Sequence, residues 1–106
     1  MDQHEYTDRL LEAYRATPGT CGVVRRSDHL LAAQLHQRCV PLIVVGNAFA
    51  LAALRRLARP ERATALPIIR SLAYFLPVID EVLSTNVDPR YYLHVRSKLQ
   101  RLTTAQ

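Results

Sequence analysis

The chain has little of several things at once. Its 106 residues include no tryptophan, three glycines and two cysteines, and of 14 Lys and Arg residues only Lys98 is a lysine. Scarce glycine beside recurrent Ala and Leu disfavours a loop-rich or sheet-based fold, since Ala, Leu and Arg favour helices while strands prefer β-branched and aromatic residues. Cys21 and Cys39 do not make a disulfide framework, and Met1 to Thr7 carries neither the basic run nor the apolar stretch of a secretory leader. A reducing cytoplasm with both thiols unpaired is therefore the expectation. The longest apolar run, Cys39 to Leu54, is interrupted by Pro41, Gly46 and Asn47. It falls short of the roughly 18–20 apolar residues of a membrane span and reads as a buried helix.

What is present is sufficient for a core: 49% of residues are hydrophobic and 22% charged, which excludes disorder over most of the length. The pattern predicts an all-α chain, residues 1–106 forming one compact domain of about five helices around a central apolar one, with Thr103 to Gln106 fraying. Tyr6, Leu10, Ala13 and Tyr14 recur at helical spacing between about Asp2 and Ala16, and Thr17-Pro18-Gly19 ends that helix. Ser27 is the expected N-cap of a second helix that carries Leu30, Leu31 and Leu35 to about Arg38. Pro41 is placed to open a third helix running to Ala58, apolar nearly all round and stopped by Pro60. After a linker, Glu61 to Leu66, a fourth helix is expected from Pro67. Its stripe is Ile68, Leu72, Phe75, Leu76, Ile79, Val82 and Leu83, and Pro77 should kink or split it. Pro89 opens the last helix, with Tyr91, Val95, Leu99 and Leu102 as its inner face.

The formal charge is +5 and almost wholly arginine. Arg pairs bidentately with phosphates and carboxylates, so this balance suits nucleic acid or an acidic protein partner, although codon usage explains the Arg-to-Lys ratio equally well. The strongest clustering is Arg90, His94, Lys98 and Arg101, whose spacing places them within about 80° on one side of the last helix. A second group spans Arg55, Arg56, Arg59, Arg62 and Arg70, and Arg25 and Arg26 form a third. The alternative for each is that arginines solvate outer faces and cap helix ends. Tyr74, Phe75, Tyr91 and Tyr92 offer rings on which unpaired bases can stack. Phe75 and Tyr91 fall on the expected inner stripes, leaving Tyr74 and Tyr92 as the exposed pair.

Other constellations carry less. The helices flanking Cys39-Val40-Pro41 have helix-turn-helix spacing, but the outer face of the second offers Ile43, Val44 and Asn47 where base edges and phosphates require polar and basic groups. An ordinary packed helix pair is the better account. His29, His36 and Cys39 do not complete the four ligands of a zinc site, and Cys39 as a nucleophile needs a base and an orienting partner, of which a short helix turn gives no sign. Asp80 and Glu81, being adjacent on a helix, point about 100° apart and read as a solvated face. No metal, cofactor or catalytic residue is expected.

The segments Arg26 to Leu35 (RSDHLLAAQL), Val40 to Val45 (VPLIVV), Leu54 to Pro60 (LRRLARP) and Ile69 to Glu81 (IRSLAYFLPVIDE) resemble small uncharacterised bacterial proteins associated with mobile elements, near transposition or replication-initiation genes. The resemblance covers most of the chain, from about Glu5 to Leu102. It implies a DNA-transaction context and carries over no functional residue. Members of that group have Gly where this chain has Cys39, which argues against a role for the thiol and implies some strain in the turn. Two functions follow as expectations. One is a non-enzymatic accessory protein that contacts DNA phosphates through Arg90, His94, Lys98 and Arg101, aided by Arg55, Arg56 and Arg59. The other is a protein-interaction module that forms a homo-oligomer or docks a larger replication or transposition protein.

Overall fold

The computed structural model describes residues 1–60 and 63–104. Among them are five α-helices and no strand: α1 (Gln3–Ala16), α2 (Arg26–Gln37), α3 (Leu42–Leu57), α4 (Leu76–Ser84) and α5 (Pro89–Thr104), with a 3₁₀ turn (Leu72–Phe75) leading into α4. No helix among the described residues is long and apolar enough to cross a membrane. The all-α bundle read from composition and periodicity is what the chain forms.

Helix α3 is the hub and touches α1, α4, α5 and the 3₁₀ turn. Its apolar circumference demands this: Val45, Ala48, Phe49, Ala50, Leu51, Ala52 and Ala53 are all buried, and the alanines let neighbouring backbones come close. Three rings close the centre. Phe49 and Phe75 lie 4.7 Å apart, and Tyr14 sits 6.0 Å from Phe75 and 6.4 Å from Phe49, tilted as aromatic quadrupoles prefer. Burying a ring such as Phe75, which is wholly inaccessible, contributes on the order of 1.5–3 kcal/mol.

Several sequence expectations are corrected. Helix α2 begins at Arg26 and Arg25 is its N-cap; Ser27 is not. The capping oxygen comes from Asp28, which accepts from the Arg25 backbone N–H at 2.9 Å and, with its other oxygen, from the Leu72 N–H at 2.9 Å. Asp28 is 0% exposed, so one carboxylate both caps α2 and ties the 3₁₀ turn to it. Helix α2 packs on α1 and the 3₁₀ turn and has little contact with α3, so neither a helix-turn-helix nor the expected α2–α3 pair exists.

The turn between α2 and α3 is a Schellman motif. The Cys39 N–H donates to the His36 carbonyl and the Val40 N–H to that of Leu35, while Leu35 and Val40 are both buried. Cys39 occupies the left-handed position at φ +59°, where glycine is the unstrained choice. Pro41 is the N-cap of α3 and not its first residue.

The expected fourth helix does not start at Pro67. Residues 67–71 form no helix, and Ile69 pairs with Gly19 and Cys21 through two backbone bonds of 2.7 and 2.8 Å. That pairing turns Ile69 inward at 2% exposure and Ile68 outward at 47%. Pro77 lies in the first turn of α4, where its missing N–H has no partner to lose, so it neither kinks nor splits a longer helix. Leu83 is also exposed. On α5 the inner residues are Tyr92 and Val95, with Leu99 half-buried against the core. Tyr92 is 8% exposed and Tyr91 45%, the reverse of the expectation. Thr103 and Thr104 remain helical, while Ala105, Gln106, and Glu61 and Arg62 of the expected linker lie outside the described residues.

Candidate nucleic-acid interface

Helix α5 runs antiparallel along α3: Tyr91 and Tyr92 approach Arg55 near the end of α3, while Arg96 reaches Asn47 near its start. With Tyr92, Val95 and Leu99 turned inward, the helix presents Arg90, His94, Lys98 and Arg101 on its exposed side. His94, Lys98 and Arg101 have no carboxylate partner among the described residues. Arg90 is different. Its guanidinium donates to Asp88 at 3.0 and 3.2 Å, and its backbone N–H donates to the same carboxylate at 2.9 Å. Those bonds hold the Asp88 carboxyl below its ordinary pKa. The row therefore spans about 16 Å along the helix, with one end neutralised.

Arg96, which sequence reading left aside, points back across α3. Its guanidinium donates to the Asn47 side chain at 2.8 Å and lies over Gly46, where a Cβ would come within 2.9 Å of it. Gly46 is thus a bed for an arginine rather than a site of helix–helix approach.

The arginines at the end of α3 are mostly spoken for. Arg55 grips Glu81 of α4 through two parallel bonds of 2.8 and 2.6 Å, and that grip lowers the Glu81 carboxyl pKa. Half-buried Arg56 donates to the Pro67 carbonyl at 2.8 Å and to the Tyr74 hydroxyl at 3.3 Å, with its guanidinium carbon 5.5 Å from the Tyr74 ring centroid. It runs beside Gly19, whose φ is +95° and where a Cβ would stand 3.2 Å from the Arg56 Nε. Arg59 pairs with no carboxylate among the described residues. Arg55, Arg56 and Arg59 line one groove of about 320 Å³ with Leu66, Tyr74 and Val78. Arg56 and Arg59 also line an adjoining groove of about 250 Å³, floored by Gly19 and Ala53.

The seven candidate residues therefore fall into two sets. Arg55, Arg56 and Arg59 converge on the groove, whereas Arg90, His94, Lys98 and Arg101 share the outer face of α5 and line no part of it. Arg62 of the expected second group lies outside the described residues, and Arg70 is exposed. Among the described residues no group of three or more His, Cys, Asp or Glu side chains could hold a metal ion. The partners of Arg55 and Arg56 were beyond sequence reading: Glu81 lies 26 residues from Arg55 and Pro67 lies 11 from Arg56, with no local spacing to link them. The role of Asp28 had a signal, an acid three residues after the N-cap, which is the capping-box position.

No family model matches the chain, and no curated protein or solved structure matches it either.

Proposed function

We infer that the protein is a non-enzymatic accessory module of bacterial DNA metabolism, acting in the cytoplasm in a mobile-element context, and that it binds DNA through phosphate contacts of α5. The observation that carries this reading is the row His94, Lys98 and Arg101, exposed on one helix face with no carboxylate partner among the described residues. Cations already paired within the protein lose part of their attraction for phosphate. Arg90 and Arg55, held by Asp88 and Glu81, thus contribute less than their position in sequence suggests. Such contacts position a protein on DNA without reading bases, so affinity should be insensitive to sequence and steeply dependent on salt.

Fluorescence anisotropy with labelled DNA of unrelated sequences, at about 50 and 200 mM salt, tests this. Binding that is tight at low salt and collapses at high salt is expected. The Lys98→Ala/Arg101→Ala variant should bind more weakly and lower the log–log salt slope by about 2, near 0.9 for each phosphate no longer neutralised. Absence of binding at both salts would leave the second reading, a protein-interaction module. That alternative rests on Leu93 of α5 and Ile43 of α3, large apolar side chains 67% and 61% exposed.

A further inference from the structure

The groove at the end of α3 is unlike the α5 row in kind. It combines cations with an exposed ring, and among the described residues none of its lining is acidic, although Arg55 is held by Glu81. Tyr74 is 44% exposed and does not lie loose on the surface. Its ring stands nearly perpendicular to that of Phe75 at 5.2 Å, the Arg56 guanidinium carbon lies over it 5.5 Å from the centroid, and its hydroxyl accepts from Arg56, which is itself held by Pro67. A ring fixed in this way loses little entropy on binding. Arg59, beside it in the groove, pairs with no carboxylate among the described residues, and Leu66 and Val78 supply apolar walls. The adjoining groove continues past Arg56 and Arg59 along the exposed segment 64–66.

The geometry points to a binding site for single-stranded DNA, with one unpaired base stacked on Tyr74 and its phosphate on Arg59. The inference rests on the DNA-binding reading and adds strandedness to it. A volume of about 320 Å³ is at the low end for small-ligand sites, which run from about 300 to 1,000 Å³, and it admits a nucleotide but not a helix. A duplex keeps its bases stacked internally, so its phosphates reach the α5 row while no base reaches Tyr74. An acidic peptide would satisfy Arg59 and leave the ring without a partner. Stacking on an aromatic side chain accepts any base, consistent with a protein that reads no sequence. The second groove shares Arg56, Arg59 and Leu66 with the first and gives room for the next nucleotide.

The test compares a labelled oligothymidine with a duplex of equal length, titrated by anisotropy at low salt with the full chain. Tyr74→Ala should weaken single-strand binding about tenfold and change duplex binding less than about twofold. Tyr74→Phe, which keeps the ring and removes only the hydroxyl, should retain most of the affinity. Arg59→Ala should also weaken the single-strand complex selectively. Circular dichroism of each variant separates lost stacking from lost fold. If Tyr74→Ala and Arg59→Ala leave single-strand binding unchanged, while Lys98→Ala/Arg101→Ala weakens both ligands, the groove is no strand site and the α5 reading stands. If the wild-type chain binds neither DNA, both fall together.

Discussion

The half of the molecule built from α1, α2 and the 3₁₀ turn buries two polar groups on backbone partners, which α5 does not do. Tyr14 apart, its other polar side chains stay in water, some in exposed pairs such as Arg9–Glu5. Asp28 is wholly buried on two N–H groups, and the buried Tyr6 hydroxyl donates to the Val40 carbonyl at 2.7 Å. On α5 the polar groups remain in water, and only Tyr92 and Val95 are fully buried. A buried hydrogen bond is worth little net, yet orphaning its partner costs the full desolvation of that partner. Substitutions in the first half should therefore register as stability, and those on α5 as binding.

The widest gap should appear between Asp28→Ala and Lys98→Ala/Arg101→Ala. The first strands two backbone N–H groups and should cost about 2–4 kcal/mol in urea unfolding, with Asp28→Asn intermediate because its NH2 replaces one of the two accepting oxygens with a donor. The second should leave the urea midpoint within about 0.5 kcal/mol, as surface changes usually do, while abolishing much of the DNA affinity. If the α5 variant unfolded as readily as the Asp28 variant, the division of labour would be wrong.

Tyr14 is the exception in the first half: among the described residues its buried hydroxyl has no hydrogen-bond partner. Burial first, and then the nearby Asp28 carboxylate, push its pKa up to about 12. Tyr14→Phe should accordingly stabilise by about 1 kcal/mol. It should also flatten an alkaline limb. A phenol raised in the folded state contributes stability that is complete below its unfolded value of 10.0 and is lost as pH climbs toward about 12. Melting curves across that window, wild type against Tyr14→Phe, show whether the limb belongs to this residue.

Cys39→Gly should add a smaller gain, about 0.5–1 kcal/mol. It relieves a side chain at φ +59°, a strain of about 1–2 kcal/mol, but loosens the unfolded chain. An unchanged urea midpoint would mean that the Schellman turn tolerates the thiol without strain. This position was partly visible in the sequence, as the short connection between a helix ending near Arg38 and one opening near Pro41. The helices were legible for a related reason. Helices α1 and α3 each carry a dense apolar surface and their own stop signal, Thr17-Pro18-Gly19 and Pro60, so local chemistry and tertiary structure agree there. Residues 67–71 were not legible, because Ile68 and Ile69 fit a helical stripe equally well. The choice between them is made by backbone pairing with Gly19 and Cys21, far away in sequence. The basic groups were legible as composition and not as chemistry. Arg55 and Arg59 look alike in sequence, and only the position of Glu81 makes one a strut and leaves the other without a carboxylate partner among the described residues.

The smallest effect should be found at two exposed ion pairs away from α1, Arg55–Glu81 between α3 and α4 and Arg90–Asp88 at the start of α5. Glu81 and Asp88 have pKa values lowered chiefly by their hydrogen bonds to Arg55 and Arg90. A carboxyl lowered in the folded state contributes stability that is fully present above its unfolded value, about 4.3 for Glu and 3.9 for Asp, and is lost as pH falls through the lowered folded value. Both pairs are solvent-exposed and screened, so Arg55→Gln should lower the melting temperature only slightly at neutral pH. The difference from wild type should shrink steadily below about pH 4 and with added salt. A large loss that persists in acid would show that Arg55 works by packing its stem between α3 and α4 rather than by its charge. It would then belong with the buried half, and the groove it lines would be held open by shape rather than by an ion pair.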